Sequence, residues 1–151
     1  MTGIVWSSKL ETGVREIDDQ HKQLIDIANR VVEAVQEKLG TLGVDEIIKE
    51  LREYTVIHFS AEEELMAALH YPDHGPHHIE HERLKNQVKL WQRDLYQKEA
   101  LTVGEVREFL RGWLIEHILR SDMAFKSWLQ ENSVCTVTAS GKGIKCTRGE
   151  G

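Results

Sequence analysis

Residues 76–97 read PHHIEHERLKNQVKLWQRDLYQ, and the period of this stretch decides the fold. Leu84, Val88, Trp91 and Leu95 recur at the three- and four-residue steps of one helix face. Continuing that stripe backwards lands on His81 and His77, whereas stepping on from His78 gives Glu82, Lys85 and Lys89. His77 and His81 are therefore expected to point inward and His78 outward. Pro76 suits the first helical position, where its fixed φ is helical and its missing N–H needs no partner.

Upstream, a second helix is expected over about 45–69, with the stripe Ile47, Leu51, Tyr54, His58, Glu62, Leu65 and Leu69. His58 and Glu62 are four apart on that face, close enough for one cation to touch both. Before it, a helix is expected from Asp18 or Asp19, whose carboxylates suit a positive helix end, to about Lys38. Its stripe of Leu24, Ile25, Ala28, Val31, Val32 and Val35 extends back to His21. Trp6 is expected to pack the N-terminal arm on the bundle.

Downstream, Thr102 and Glu105 form a capping box that opens a fourth helix running to about Glu131. Val106, Leu110, Trp113 and His117 make one stripe, and Leu114, Ile118, Asp122, Phe125 and Leu129 its neighbour. Asp122 lies five residues after His117, about 140° away on an ideal helix. Either Asp122 reaches sideways or the helix carries a local widening of the π type. Short connections between the four rods predict an all-α, up-down-up-down antiparallel bundle over residues 1–131.

Five imidazoles and two carboxylates thus share the apolar faces of four helices. Each such group is costly to bury alone, and a metal centre is the partner that satisfies all of them together. Two octahedral ions offer about twelve positions. Five imidazoles, two bridging carboxylates and one solvent-derived bridge fill all but one.

The set His21, His58-Phe59-Ser60-Ala61-Glu62, His77-x-x-x-His81 and His117-x-x-x-x-Asp122 resembles the hemerythrin family, and within it the single-domain bacteriohemerythrins. Gln20-His21-Lys22, Glu62-Glu63, Tyr71-Pro72 and Trp113-Leu114 support the resemblance, which runs from about Trp6 to Leu129. It implies two iron ions, ferrous or ferric, joined by an oxo or hydroxo bridge and binding dioxygen reversibly. By the same resemblance His77, His81 and His117 hold one iron, His21 and His58 the other, and Glu62 and Asp122 bridge them. Phe59, Trp113, Leu114 and Ile118 are then expected to line the open position and exclude water. Ferritin-like di-iron sites use Glu-x-x-His repeats and more carboxylates; this chain has no such repeat, and its neutral imidazoles favour the ferrous pair.

An oxygen store, buffer or carrier that serves an oxygen-consuming enzyme is the expected role, a binding protein and not an enzyme. Reduction of peroxide or nitric oxide at the same centre is one alternative; an oxygen-sensing module is another. The formal charge is −6, with +2 on residues 132–151 and so −8 on residues 1–131. Such a body repels nucleic acid and anionic lipid. No apolar run suits a membrane span and the first ten residues lack a secretory pattern, so a cytoplasmic monomer is expected.

His70, His74 and His78 read as solvated turn residues, and Glu63 and Glu64 as a wet face, with Glu63 also placed to support a ligand histidine. Cys135 and Cys146 lie in the polar, glycine-bearing stretch 132–151, expected to be a flexible extension that leaves the core independent of disulfides.

Overall fold

The computed structural model describes residues 4–38, 40–95, 97, 102–132, 135–137 and 144–146. Helix α1 spans Arg15–Gln36, α2 Gly40–Ala68 and α3 His74–Leu95. The fourth rod begins as α4, Val103–Leu110, passes through two π-helical stretches, Arg111–Ile115 and Ile118–Asp122, and ends as α5, Met123–Glu131. α1 packs along α2 and α4, and α2 along α3. The result is the expected all-α four-helix bundle.

Helix starts depart from the sequence expectation. α1 opens at Arg15 behind Val14, which offers no side-chain cap. Asp18 sits in the first turn and reaches back, accepting from Thr12 N–H and Thr12 Oγ1 at 2.7 Å each and from Gly13 N–H at 3.2 Å. The carboxylate thus ties the arm to the helix start where the macrodipole is positive. α2 begins at Gly40, before the expected Asp45, after Lys38 adopts φ 57° to end the preceding turn. At the fourth rod the expected cap is found: Thr102 Oγ1 accepts from Glu105 N–H at 3.1 Å.

The inward stripes of α1 and the fourth rod are those expected, and that of α3 holds except that Trp91 is only partly buried and Gln92 is buried beside it. In α2 the buried line is turned slightly: Ile48, Thr55 and Met66 are buried, while Ile47, Tyr54, Leu65 and Leu69 are only partly so. Trp6 packs on the core, and Asn29 grips the arm by accepting from Ile4 N–H at 2.6 Å and donating to the Ile4 carbonyl at 2.8 Å.

The apolar interior falls into two clusters. The larger runs from Leu24 and Val31 through Leu51, Val88 and Leu110 to Ile118. The smaller, Val14, Ile17, Met66, Tyr71, Phe125 and Leu129, fills the end where α2 turns into α3. Tyr71 meets Phe125 and Trp128 edge-on, with centroids 4.9 and 5.2 Å apart.

Within the expected C-terminal extension, Cys135–Val137 and Ile144–Cys146 form a two-stranded antiparallel ladder, β1 and β2, with Cys135 opposite Cys146 in register. The other tail residues beyond Asn132, on which the expectation of flexibility rests, lie outside the described residues. No helix among the described residues is long and apolar enough to cross a membrane.

Candidate metal centre

His21 enters the core from the second turn of α1, His58 and Glu62 from α2, His77 and His81 from the first two turns of α3, and His117 and Asp122 from the fourth rod. None of the seven is more than 5% exposed. All the sequence-predicted ligands therefore meet in one place, near the end of the bundle where α1 and α3 begin.

Their atoms sort into two overlapping groups: Glu62, His77, His81, His117 and Asp122 in one, His21, His58, Glu62 and Asp122 in the other. Within each, the donor atoms lie within 4.8 Å of one another. Each carboxylate divides its oxygens between the groups. Glu62 Oε1 stands 3.0 Å from His77 Nε2 and from His81 Nε2, while Oε2 stands 3.5 Å from His21 Nε2 and from His58 Nε2. Asp122 Oδ1 lies 3.2 Å from His77 Nε2 and 3.4 Å from His117 Nε2, while Oδ2 lies 3.0 Å from His21 Nε2.

His77 Nε2 and Glu62 Oε1 are hydrogen-bonded at 3.0 Å, but most of these contacts are not hydrogen bonds. The Nε2 atoms of His21, His58, His81 and His117, with Glu62 Oε2 and both Asp122 oxygens, are buried without an acceptable hydrogen bond among the described residues. Leaving that many polar atoms unpaired would cost several kcal/mol. Lone pairs aimed at a common centre are what a cation satisfies, so the residues fit a metal centre.

The outer ring nitrogens of His58, His81 and His117 have partners of their own. His58 Nδ1 lies 2.7 Å from Gln20 Oε1, an acceptor, so Nδ1 carries the proton and Nε2 is left free. His81 Nδ1 donates to Glu63 Oε2 at 2.6 Å, as the sequence allowed, and Glu63 Oε1 accepts from His78 Nδ1 at the same distance. His117 Nδ1 lies 3.4 Å from Glu80 Oε2. Gln20 and Glu80 were not foreseen in these roles; their sequence signal is that each immediately precedes a histidine of the candidate centre.

Burial opposes charge on His21, His58, His77 and His117, and the nearby carboxylates work against it. His21 and His77 are raised to about 10 because Asp122 and Glu62 override that burial. His117 is raised for the same reason. His58 goes the other way, to about 3, because burial outweighs the pull of Glu62. Glu62 and Asp122 are held well below the carboxylate range: burial would raise both, and the surrounding imidazoles prevail.

Phe59 lies flat on the His81 ring, with centroids 3.8 Å apart and planes 1° from parallel. Trp113, Leu114 and Ile118 are buried in the larger cluster, and Trp113 Nε1 donates to the Leu84 carbonyl at 2.9 Å. His70 and His78 are exposed and His74 half-buried, outside the seven-residue cluster.

A family model described as the hemerythrin HHE cation binding domain matches residues 12–129. Bacteriohemerythrin of Clostridium acetobutylicum is 30% identical over 125 residues, covering 80% of this chain and 97% of its own length. Bacteriohemerythrin of Stenotrophomonas maltophilia is 33% identical over 125 residues, covering 83% and 80%. A solved wild-type hemerythrin superposes with a TM-score of 0.72 at 27% identity, over 82% of this chain and 95% of the other. With all seven converging side chains inside the matched region, on the same fold, this chain belongs to the hemerythrin family.

Proposed function

We propose that this protein binds dioxygen reversibly at a non-haem di-iron centre, and so stores, buffers or delivers oxygen. The observation that carries this reading is the division of the Glu62 and Asp122 oxygens between a three-histidine and a two-histidine group. His77, His81 and His117 would hold one iron, His21 and His58 the other, with both carboxylates bridging. For two ions that each take about six ligands, with a shared oxo or hydroxo bridge, the first set is complete and the second is one short. That single place suits a diatomic gas and leaves no room for a second substrate beside it.

A ferrous pair held there supplies two electrons to dioxygen on binding and recovers them on release. The chain's own residues do the rest. Gln20 and Glu63 fix the His58 and His81 rings with Nε2 facing inward. Phe59, Trp113, Leu114 and Ile118 are the proposed pocket walls, apolar and buried, and keep water from the centre. No additional substrate is needed, so we read the protein as a carrier, with an oxygen-consuming enzyme as the recipient.

The test is an anaerobic metal count followed by a visible spectrum with and without oxygen. Two irons per chain and a colour that appears with oxygen and bleaches on its removal support the reading. Prompt irreversible oxidation, or steady turnover of peroxide or nitric oxide with a reductant, overturns it.

A further inference from the structure

We infer that the partners behind the histidines poise the two metal positions unequally: carboxylates stand behind the three-histidine position and a neutral carboxamide behind the two-histidine position, making the first the tighter and the more easily oxidised. This rests on the di-metal reading above and adds roles for Gln20, Glu63 and Glu80, as positioning residues that touch no metal.

The asymmetry is plain in the contacts. On the three-histidine side, Glu63 accepts from His81 Nδ1 at 2.6 Å and Glu80 lies 3.4 Å from His117 Nδ1. Both are anchored from outside, Glu63 by His78 and Glu80 by Arg83 at 3.0 Å. On the two-histidine side, His58 Nδ1 meets the Gln20 carboxamide at 2.7 Å, and His21 Nδ1 is buried with no hydrogen bond among the described residues. Among the described residues no carboxylate hydrogen-bonds Nδ1 of either ring.

An N–H donated to a carboxylate is a stronger bond than one donated to an amide, and it draws the proton outward. Electron density then moves to Nε2, the imidazole becomes a better donor, and the metal it holds is stabilised in its higher charge. Glu63 and Glu80 are only about a fifth to a quarter exposed at their side chains, so solvent screens them incompletely. Gln20 orients His58 just as firmly but adds no charge. The metal with the open place, held by the weaker donors, is thereby kept divalent, the state that accepts a gas, while its neighbour carries the stronger donor set. Gln20 and glutamate differ by one terminal atom group, so the distinction can be exchanged almost without a change of shape.

The experiment is a calorimetric and optical titration of metal-stripped protein with Co2+ at fixed pH, for the wild type, Glu63→Gln and Gln20→Glu. Two binding steps are expected in the wild type. Glu63→Gln should weaken the tighter step about 10–100-fold and leave the other alone, with a shift confined to the bands of the tighter site. Gln20→Glu should strengthen the weaker step and narrow the gap. In iron-loaded protein, stepwise oxidation should show the first potential raised by Glu63→Gln and the second lowered by Gln20→Glu.

Equal weakening of both steps by Glu63→Gln, or no change with Gln20→Glu, overturns the inference while leaving two bound ions and the di-metal reading intact. Uptake of fewer than two ions by the wild type overturns both. If Glu63→Gln melts too low to titrate, Glu80→Gln must weaken the same step selectively or the inference fails.

Discussion

His117 Nε2 and Asp122 Oδ1 lie 3.4 Å apart although Asp122 comes five positions later, on a helix whose ideal geometry would set them about 140° apart. The Met123 N–H bonds to the Ile118 carbonyl, five residues back, and this wide turn brings Asp122 round to the face of His117. The widening thus helps gather the seven side chains of the candidate centre, and π turns are frequent at functional sites.

Changing the register of that turn should change the metal count. Inserting one alanine after Arg120 rotates Asp122 by about 100° and should reduce uptake below two ions per chain. Deleting the exposed Arg120 places the aspartate four residues after His117, where an ordinary α-turn aligns them, and should preserve two ions. Metal analysis of the two variants checks both directions.

His77 and His78 should separate cleanly. His77→Ala removes a buried imidazole that faces both carboxylates and should abolish loading at the three-histidine group together with the oxygen-dependent spectrum. His78 is half-exposed, bonds to Glu63 and lies outside the cluster, so His78→Ala should retain both ions. Retention in the first variant with loss in the second would overturn the assigned helix face.

Loading should expel protons. With His21 and His77 raised to about 10, both are protonated at pH 8 and must give up their protons to ligate, while His58, lowered to about 3, is already neutral. Adding Zn2+ to metal-stripped protein in weak buffer at pH 8 should release at least two protons per chain. The stripped protein should also lose stability as pH climbs from the ordinary histidine value of about 6.5 towards 10, because a raised folded-state pKa stabilises only while the proton is held. Below the ordinary carboxylate range, protonation of Glu62 and Asp122 removes the other half of the same interaction. Denaturant titrations at several pH values check the sign.

Phe59→Ala should cost ~3–5 kcal/mol of unfolding free energy, the usual range for a buried ring whose surroundings collapse only partly. Phe59 is 3% exposed and stacked on His81, so the same variant should also admit water and speed oxidation of the loaded centre. Linear extrapolation from denaturant and the decay of the oxygen-dependent spectrum measure the two effects.

Asp18→Ala should cost ~1–2 kcal/mol, in line with losing a helix-start cap. Thr12 N–H and Oγ1, both buried, would be left without their 2.7 Å acceptor. Ser substituted for Asp18 is too short to reach back and should not rescue the loss. Thermal melts of the three proteins decide it.

The sequence carried the helix faces well, because burial imposes a 3.6-residue period that His77, His81, Leu84 and Val88 obey without reference to any neighbour. It also showed that Asp122 demanded either a reach or a wide turn, though not which. What stayed hidden depends on the path of other segments. Asp18 caps backwards only because residues 12–14 fold across the helix start. Gln20 finds His58 only because α1 lies along α2 at that height, and Glu80 finds His117 only because α3 faces the fourth rod. In α2, the deeper burial of Ile48, Thr55 and Met66 reflects a small rotation of the helix that a one-dimensional stripe cannot register.

The seven polar groups lie between two separate oily clusters, so the bundle's interior is interrupted where most proteins of this size are continuous. Any cation seated there stitches the halves into one cooperative unit. Strip it out, and the short end built on Val14, Ile17, Met66, Tyr71, Phe125 and Leu129 has only its own few contacts to keep it shut. Amide exchange should then begin around the α2–α3 corner and along α5 well before it reaches Leu24, Val31 and Leu51, so that metal loss is registered first as local fraying and not as global collapse.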